Sequence, residues 1–308
     1  MPYHDPASLH GSVYASVCTK GKGDDRTPED NAVQEALHPM AGNVQEWTEE
    51  VVHVAGTDLT FIQGGSGKPL LVLHEELGYP GWLRWHSALA RHRTLHISLH
   101  PGFGKSPRVE WVLSMRDLAC FYARVLREMH LSPIDVMGFS LGGWLAAEMA
   151  ANCAHQFQRM VLVAPAGIRP PEGEIMDMFR VTARTYLHAS VLDPTRTPEF
   201  ATLYGGGPSP EQFEAWEDAR AETARLAWQP YLHNPGLGPL LEGVDKLPTL
   251  LIWGRQDQVV PLSAGQAYQN AIAGSELVVL EGCGHRPEIE KTAEFIAYVE
   301  RFLVSGEL

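Results

Sequence analysis

The chain is predicted to be an α/β protein, a mostly parallel sheet flanked by helices and interrupted by an inserted helical cap. Three observations lead there. Wholly apolar runs, the mark of strands buried on both faces, alternate with helical patterns from about Trp47 onward. That alternation stops between about Ile168 and Lys246 and then resumes. One apolar run, Asp135-Val136-Met137-Gly138-Phe139, enters Ser140-Leu141-Gly142-Gly143-Trp144 and then at once a small-residue helix (Leu145, Ala146, Ala147, Met149, Ala150, Ala151).

Taken in order, residues 1–43 are rich in Gly, Pro, Asp and Ser without a sustained period, and are expected to be a poorly ordered extension. Val51–Val54 and Leu59–Ile62 read as two strands around a Gly56-Thr57-Asp58 turn. Leu70–His74 is a buried strand, followed by a helix over Tyr79–Ala90, a strand over Thr94–Leu99 and a helix over Ser114–Met129. The run into Ser140 and its helix come next, then the buried strand Met160–Ala164. Helical patterns over Glu174–Ala189 and Pro210–Ala227 fill the interruption, with proline breaks and no convincing strand. The sheet resumes with Pro248–Gly254, a helix near Leu262–Ile272, the strand Glu276–Leu280 and a last helix over Glu288–Phe302. Residues 44–167 and 247–308 are therefore assigned to the sheet domain and 168–246 to the cap. Consecutive βαβ units imply right-handed crossovers and a parallel sheet.

Composition narrows the function. A length of 308 residues suits one large domain with an insertion, or two domains. With 37 acidic against 24 basic residues the formal charge is −13, which disfavours nucleic acid and anionic membrane surfaces as partners. Cys18, Cys120, Cys153 and Cys283 are scattered without a metal-ligand spacing. Cys120, Cys153 and Cys283 read as buried packing, and free thiols point to a reducing, cytoplasmic compartment. The N-terminus lacks a basic start followed by an apolar run, and no run approaches the ~20 residues of a membrane helix.

Gly138-Phe139-Ser140-Leu141-Gly142, between strand and helix, is the sequence form of a nucleophile elbow, which thrusts a serine hydroxyl out of the sheet. A Cβ at Gly138 or Gly142 would crowd the chain where it bends most sharply. The helix that follows aims free N–H groups and its positive dipole end at the serine. A serine hydroxyl needs a base, and the base an orienting carboxylate. Trp253-Gly254-Arg255-Gln256-Asp257 and Glu281-Gly282-Cys283-Gly284-His285 each place a candidate just past a strand, on the rim where carboxyl ends of parallel strands gather. Asp193 and Asp245 are the fallback carboxylates.

From these residues the chain resembles the α/β-hydrolase family, in particular its capped, esterase-like members, over about Val51 to the C-terminus. Pro101-Gly102-Phe103-Gly104-Lys105-Ser106 and Gly284-His285-Arg286-Pro287 add to the likeness. The order Ser…Asp…His is the one that family uses. The resemblance implies that Ser140 is the nucleophile, His285 the general base and later acid, and Asp257 its orienting carboxylate. It also implies an oxyanion hole made by the N–H of Leu141 and by the loop after the third strand. There the family carries His-Gly and a variable residue, while this chain has His74-Glu75-Glu76. The N–H of Glu76 is the favoured second donor and that of Glu75 the alternative. Ionised carboxylates aimed at the site would oppose an oxyanion, so both are expected to point away, to pair with Arg84 or another cation, or to bind something positive in a substrate.

Other features read more plainly. His92, His96 and His100 straddle a strand at a spacing of four, ~13 Å between neighbours, too far apart to share an ion. No metal and no cofactor is expected. Phe139 and Trp144 beside Ser140, with Phe179, Tyr186, Trp216, Trp228 and Tyr231 of the cap, are candidates to line a pocket or simply to pack the cap. Glu75, Phe139, Trp144, Phe179, Tyr186 and Trp228 are the substrate-binding candidates. The reading that results is a serine hydrolase cleaving small carboxylic esters through an acyl-enzyme. Hydrolysis of a carbon–carbon bond in a ring-cleavage diketone, aminopeptidase action, and a small-molecule receptor with a slow triad are the alternatives. Oligomeric state is not legible in the sequence.

Overall fold

Residues 46–204 and 207–305 are described by the structure, a computed structural model. The expectation for residues 1–43 lies outside them. Among the described residues, eight strands form one sheet in the order β1-β2-β4-β3-β5-β6-β7-β8. β1 (Trp47–Val54) and β2 (Thr57–Gly65) are antiparallel, and β2 runs antiparallel to β4 (Arg93–Ser98). From β4 through β3 (Lys68–Leu73), β5 (Ile134–Phe139), β6 (Phe157–Val163), β7 (Thr249–Gly254) and β8 (Glu276–Leu280) every pairing is parallel. All six residues of β5 and of β7 are buried, which is why both read as largely apolar runs, with Asp135 of β5 paired to Arg93.

The helices are α1 (Arg84–Leu89), α2 (Met115–Glu128), α3 (Leu141–Cys153), α4 (Ala183–Ala189), α5 (Pro198–Tyr204), α6 (Pro210–Ala227), α7 (Leu237–Leu241), α8 (Leu262–Ala271), α9 (Pro287–Glu290) and α10 (Thr292–Ser305). α4 to α7 all lie between β6 and β7, so the interruption of the sheet rhythm is a helical insertion. The chain steps from β3 to β4 on one side and reaches β5 on the other. Loops leaving β3 and β5 therefore diverge, and the crevice between them is the topological switch point of the sheet.

Four boundaries differ from the sequence expectation. The first turn is Ala55-Gly56 rather than Gly56–Asp58, because Val54 already pairs with Thr57 and both turn residues have positive φ (54° and 84°). α1 begins only at Arg84: Pro80 biases Tyr79 away from helix, and Gly81 has φ 108°. Residues 174–182 are not helical; the Met176 N–H donates to the Val259 carbonyl (2.8 Å), and α4 starts after Thr182, whose hydroxyl accepts from the Thr185 N–H. The last helix is two, broken at Lys291 (φ −130°). The thiols also differ in part: Cys283 is buried, but Cys120 is exposed and Cys153 half-buried, each on a helix side turned from the core. No helix among the described residues is long and apolar enough to cross a membrane.

Candidate active site

β5 delivers Ser140 to the mouth of the switch-point crevice. Ser140 has φ 47° and ψ −109°, a conformation that costs a non-glycine residue of order 1–3 kcal/mol. It is held by its own N–H to the Val163 carbonyl (2.9 Å) and by the Ala166 and Trp144 N–H groups, which donate to its carbonyl. The flanking glycines make the bend possible by their size. A Cβ on Gly138 would collide with the Gly142 carbonyl, and one on Gly142 with the carbonyls of Leu73 and His74. The start of α3 thus lies directly against the end of β3.

Asp257 and His285 follow β7 and β8 and meet beside this point. His285 Nδ1 lies 2.8 Å from Asp257 Oδ2, while Asp257 Oδ1 accepts from the N–H groups of Val259 (2.8 Å) and Val260 (2.9 Å). Both side chains are closed to solvent. The helical insertion steadies the histidine loop: the His285 N–H donates to the Ser190 carbonyl (2.9 Å). Glu290 accepts from the N–H groups of Gly284 and Leu192. Burial pushes the imidazole pKa down, but the charge and hydrogen bond of Asp257, with the charge of Glu76, outweigh it, and the net shift is upward. His285 Nε2 is buried and, among the described residues, has no hydrogen-bond partner.

The Ser140 hydroxyl is instead engaged by Glu76. This carboxylate accepts from the Tyr186 hydroxyl, the Ser140 hydroxyl and its own backbone N–H, and it faces the His285 imidazole. Burial pushes its pKa up, yet His285 and these three donors hold it below the usual glutamate range. In the resting site the Ser140 hydroxyl therefore lies on the Glu76 side, with His285 Nε2 unpaired among the described residues. Of the three expected arrangements, Glu76 neither turns away nor pairs with Arg84 or another arginine or lysine among the described residues. Arg84 is exposed, and its N–H donates to Glu199.

Glu75 turns to the other side of the same loop. Its carboxylate binds Arg286 Nη2 (2.6 and 2.5 Å), and Arg286 Nε donates to Ser190 Oγ (2.8 Å) with the guanidinium over the Tyr204 ring. Glu288 lies in the same enclosure; burial, moderated by Arg286 and reinforced by Glu75, pushes its carboxyl up to about 8. The loop backbone is fixed by His74, whose Nδ1 donates to the Glu75 carbonyl (2.7 Å) and whose Nε2 accepts the His100 N–H (3.1 Å). Burial pushes the His74 pKa down to about 4, which suits that neutral role. The Thr223 hydroxyl of α6 donates to the Glu76 carbonyl (2.9 Å).

Two pockets result. One opens over Ser140 and is lined by Glu76, Leu141, Tyr186 and Thr223 among apolar side chains such as Met176, Met178 and Leu232. The other is lined by Glu75, Arg286 and Glu288 among Trp85, Phe139 and other apolar groups. Of the aromatic candidates, Tyr186 borders the serine pocket and Phe139 the second one. Trp144 points into the interior, donating to Glu148 (3.0 Å). Phe179, Trp228 and Tyr231 pack on one another, and Trp216 packs on Tyr204. Asp193 caps a short turn at Thr195, and Asp245 is exposed. Among the described residues no cluster of metal-ligating side chains is present. Thr223, Ser190, Arg286 and Glu288 escaped the sequence reading. Arg286, beside the histidine, and Glu288, the glutamate just after Pro287, belonged to a motif that could have drawn attention to them.

A hydroxyl at an elbow, an imidazole backed by a carboxylate, and the free N–H of Leu141 at the start of α3 compose the parts of acyl transfer. Comparisons with known proteins show the family and the fold. A family model described as alpha/beta hydrolase family matches residues 70–298. The chain is 29% identical over 280 residues to 2-hydroxymuconate semialdehyde hydrolase of Pseudomonas sp. (strain CF600), covering 86% of this chain and 96% of that protein. It is also 29% identical over 260 residues to a pimeloyl-[acyl-carrier protein] methyl ester esterase of Aeromonas hydrophila, covering 78% and 96%. Among solved structures, a meta-cleavage product hydrolase from Pseudomonas fluorescens IP01 superposes with a TM-score of 0.69 at 24% identity, over 86% of this chain and 100% of that one. An esterase from Rhodococcus does so with 0.69 at 22%, over 85% and 99%; these two show a shared fold.

Proposed function

This chain belongs to the alpha/beta hydrolase family, and we propose that within it the protein is a serine hydrolase of small carboxylic esters acting through an acyl-enzyme. Ser140 Oγ attacks the ester carbonyl as its proton passes to His285 Nε2, and Asp257 stabilises the imidazolium through Nδ1–H. The N–H groups of Leu141 and Glu76 hold the oxyanion, each donor contributing about 10²–10³ in rate. His285 then protonates the leaving alcohol, takes a proton from water, and the hydroxide releases the acid from Ser140. No cofactor takes part.

The observation that carries the ester reading is the lining of the serine pocket. Among the described residues it presents apolar side chains, three hydroxyls and the Glu76 carboxylate. A substrate bearing its own carboxylate would meet like charge there. The second reading, carbon–carbon bond hydrolysis of a ring-cleavage product, has support of a different kind: relatives at 29% and 25% identity are a 2-hydroxymuconate semialdehyde hydrolase and a 2-hydroxy-6-oxo-2,4-heptadienoate hydrolase. Turnover of p-nitrophenyl butyrate and of a 2-hydroxy-6-oxodienoate by the same purified protein separates the two. The ester should be cleaved with the higher kcat/KM, and Ser140→Ala should abolish that activity with the circular dichroism spectrum unchanged. A preference for the dienoate would replace the ester reading by the other. No turnover of either, with no labelling by a fluorophosphonate, would remove both.

A further inference from the structure

Glu76 is satisfied in the resting site and unsatisfied in the reacting one. At rest its carboxylate has three donors, the Tyr186 and Ser140 hydroxyls and its own backbone N–H. In the mechanism proposed above the Ser140 proton leaves for His285, and the N–H turns to the carbonyl oxygen. The carboxylate then keeps one donor, just as a second negative charge develops beside it. A buried, under-bonded carboxylate next to an oxyanion is costly.

The protein has little means of removing that cost by itself. The loop is pinned on both sides: Thr223 holds the Glu76 carbonyl, His74 and the Gly78 N–H hold the Glu75 carbonyl, and Arg286 holds the Glu75 side chain. Moving the loop backbone to carry Glu76 outward would break these bonds. Arg286 is held on the other flank, its Nη2 on both Glu75 oxygens and its Nε on Ser190. His285 is the positive neighbour of Glu76 while it holds the serine proton, and it loses that charge when it protonates the leaving group. The compensation has to arrive with the substrate.

We infer that Glu76 is a specificity-determining residue that selects esters carrying a protonated amine on the carbon α or β to the scissile carbonyl. This rests on the serine hydrolase reading and names the substrate class of the same site. An ammonium there replaces the two donors that the carboxylate gives up and offsets its charge at the moment the oxyanion forms. A methyl group in the same place replaces neither, and a carboxylate adds repulsion. The apolar side chains of Met176, Met178 and Leu232 line the same pocket, where a short remaining chain would lie.

The test is a set of isosteric ethyl esters assayed by acid release with the whole protein: ethyl alaninate against ethyl 2-methylpropanoate, and ethyl 3-aminopropanoate against ethyl butanoate, with monoethyl succinate as the anionic arm. At least one amino ester should exceed its methyl isostere in kcat/KM by about tenfold to a hundredfold, the range of a hydrogen bond to a charged group. Glu76→Gln should bring that ratio close to one, lowering the amino ester and raising the neutral one. The wild-type ratio stands without any variant, and Tyr186→Phe, which removes the remaining donor, should widen it. Neutral esters cleaved as well as or better than both amino esters would overturn the inference while leaving the serine hydrolase standing. Failure of every ester together with no fluorophosphonate labelling would overturn the hydrolase reading and this inference with it.

Discussion

The loop of residues 74–78 buries one glutamate on each of its flanks, and the two flanks balance that charge in opposite ways. Glu75 faces a guanidinium that binds both its oxygens, within an enclosure that also holds Glu288 and the ring of Tyr204. Glu76 faces hydroxyl groups, its own N–H, and an imidazole whose charge comes and goes. A charge closed by a fixed counter-ion contributes to stability and is spent there. A charge closed by groups that a reaction must move remains available to act on a substrate. Carboxylates on the Glu75 flank should therefore report on folding, and those on the Ser140 flank on rate.

The largest effect expected on the reactive flank is at Asp257. Asp257→Asn keeps an acceptor but presents the wrong partner to His285 Nδ1, and kcat for ester hydrolysis should fall by about 10⁴. The stability cost should stay near 1 kcal/mol, because the contacts to the Val259 and Val260 N–H groups need only a carbonyl-type oxygen. Steady-state kinetics and urea denaturation on the same preparation measure both. A rate within tenfold of wild type would move the orienting role to another carboxylate.

On the Glu75 flank the order of effects should invert. Arg286→Met leaves Glu75 buried without its partner, at a cost of about 3–5 kcal/mol in unfolding free energy. Glu75→Gln combined with Arg286→Met should regain most of it, as a double-mutant cycle would show. If the single substitution costs under about 1 kcal/mol, the closed-charge description of this flank is wrong.

What the sequence made legible, and what it hid, divides along the same line. β5, β7 and β8 were visible because their runs are apolar or nearly so, and Ser140, Asp257 and His285 because each ends such a run. The roles of Glu75 and Glu76 were not visible. Their partners Arg286 and Tyr186 lie 211 and 110 residues away, and a carboxylate on a loop looks the same whether it turns inward or outward. Glu288 reads as an ordinary acidic residue in the first turn of a helix, and only the enclosure around it makes it otherwise. The helical pattern over 174–182 was overridden in turn by the backbone bond from Met176 to Val259, a contact that closes the wall of the serine pocket.

Glu288 offers a gentler probe of the closed flank. Its carboxyl is pushed up to about 8 in the folded protein, against about 4.5 when free, chiefly by burial. The folded state therefore holds the proton more tightly than the unfolded chain does. Its contribution to stability is complete below about pH 4.5 and is lost as pH rises toward 8. Across that window of about 3.5 units the loss should be at most about 5 kcal/mol, and Glu288→Gln should flatten this part of the stability–pH curve, with ester hydrolysis at pH 7 little altered. Parallel curves for the variant and the wild type would count against it.

The smallest effect is the most discriminating, because it reads the two flanks through one titration. His285 must be neutral to accept the serine proton, and its pKa stands above the ordinary 6.5 because Asp257 and Glu76 together outweigh burial. Activity should accordingly be lost as pH falls through that raised value. Glu76→Gln removes one of the two negative groups, so the acid limb of the kcat/KM profile should move to lower pH, by about half a unit to one unit. Arg286 lowers the same pKa, and Glu75 offsets Arg286. Glu75→Gln with Arg286→Met deletes two charges that cancel, and should leave the limb where it is. A shift in the double variant as large as that in Glu76→Gln would mean that the charges of Glu75 and Arg286 do not cancel at the imidazole, and the two sides of the loop would then form one electrostatic unit.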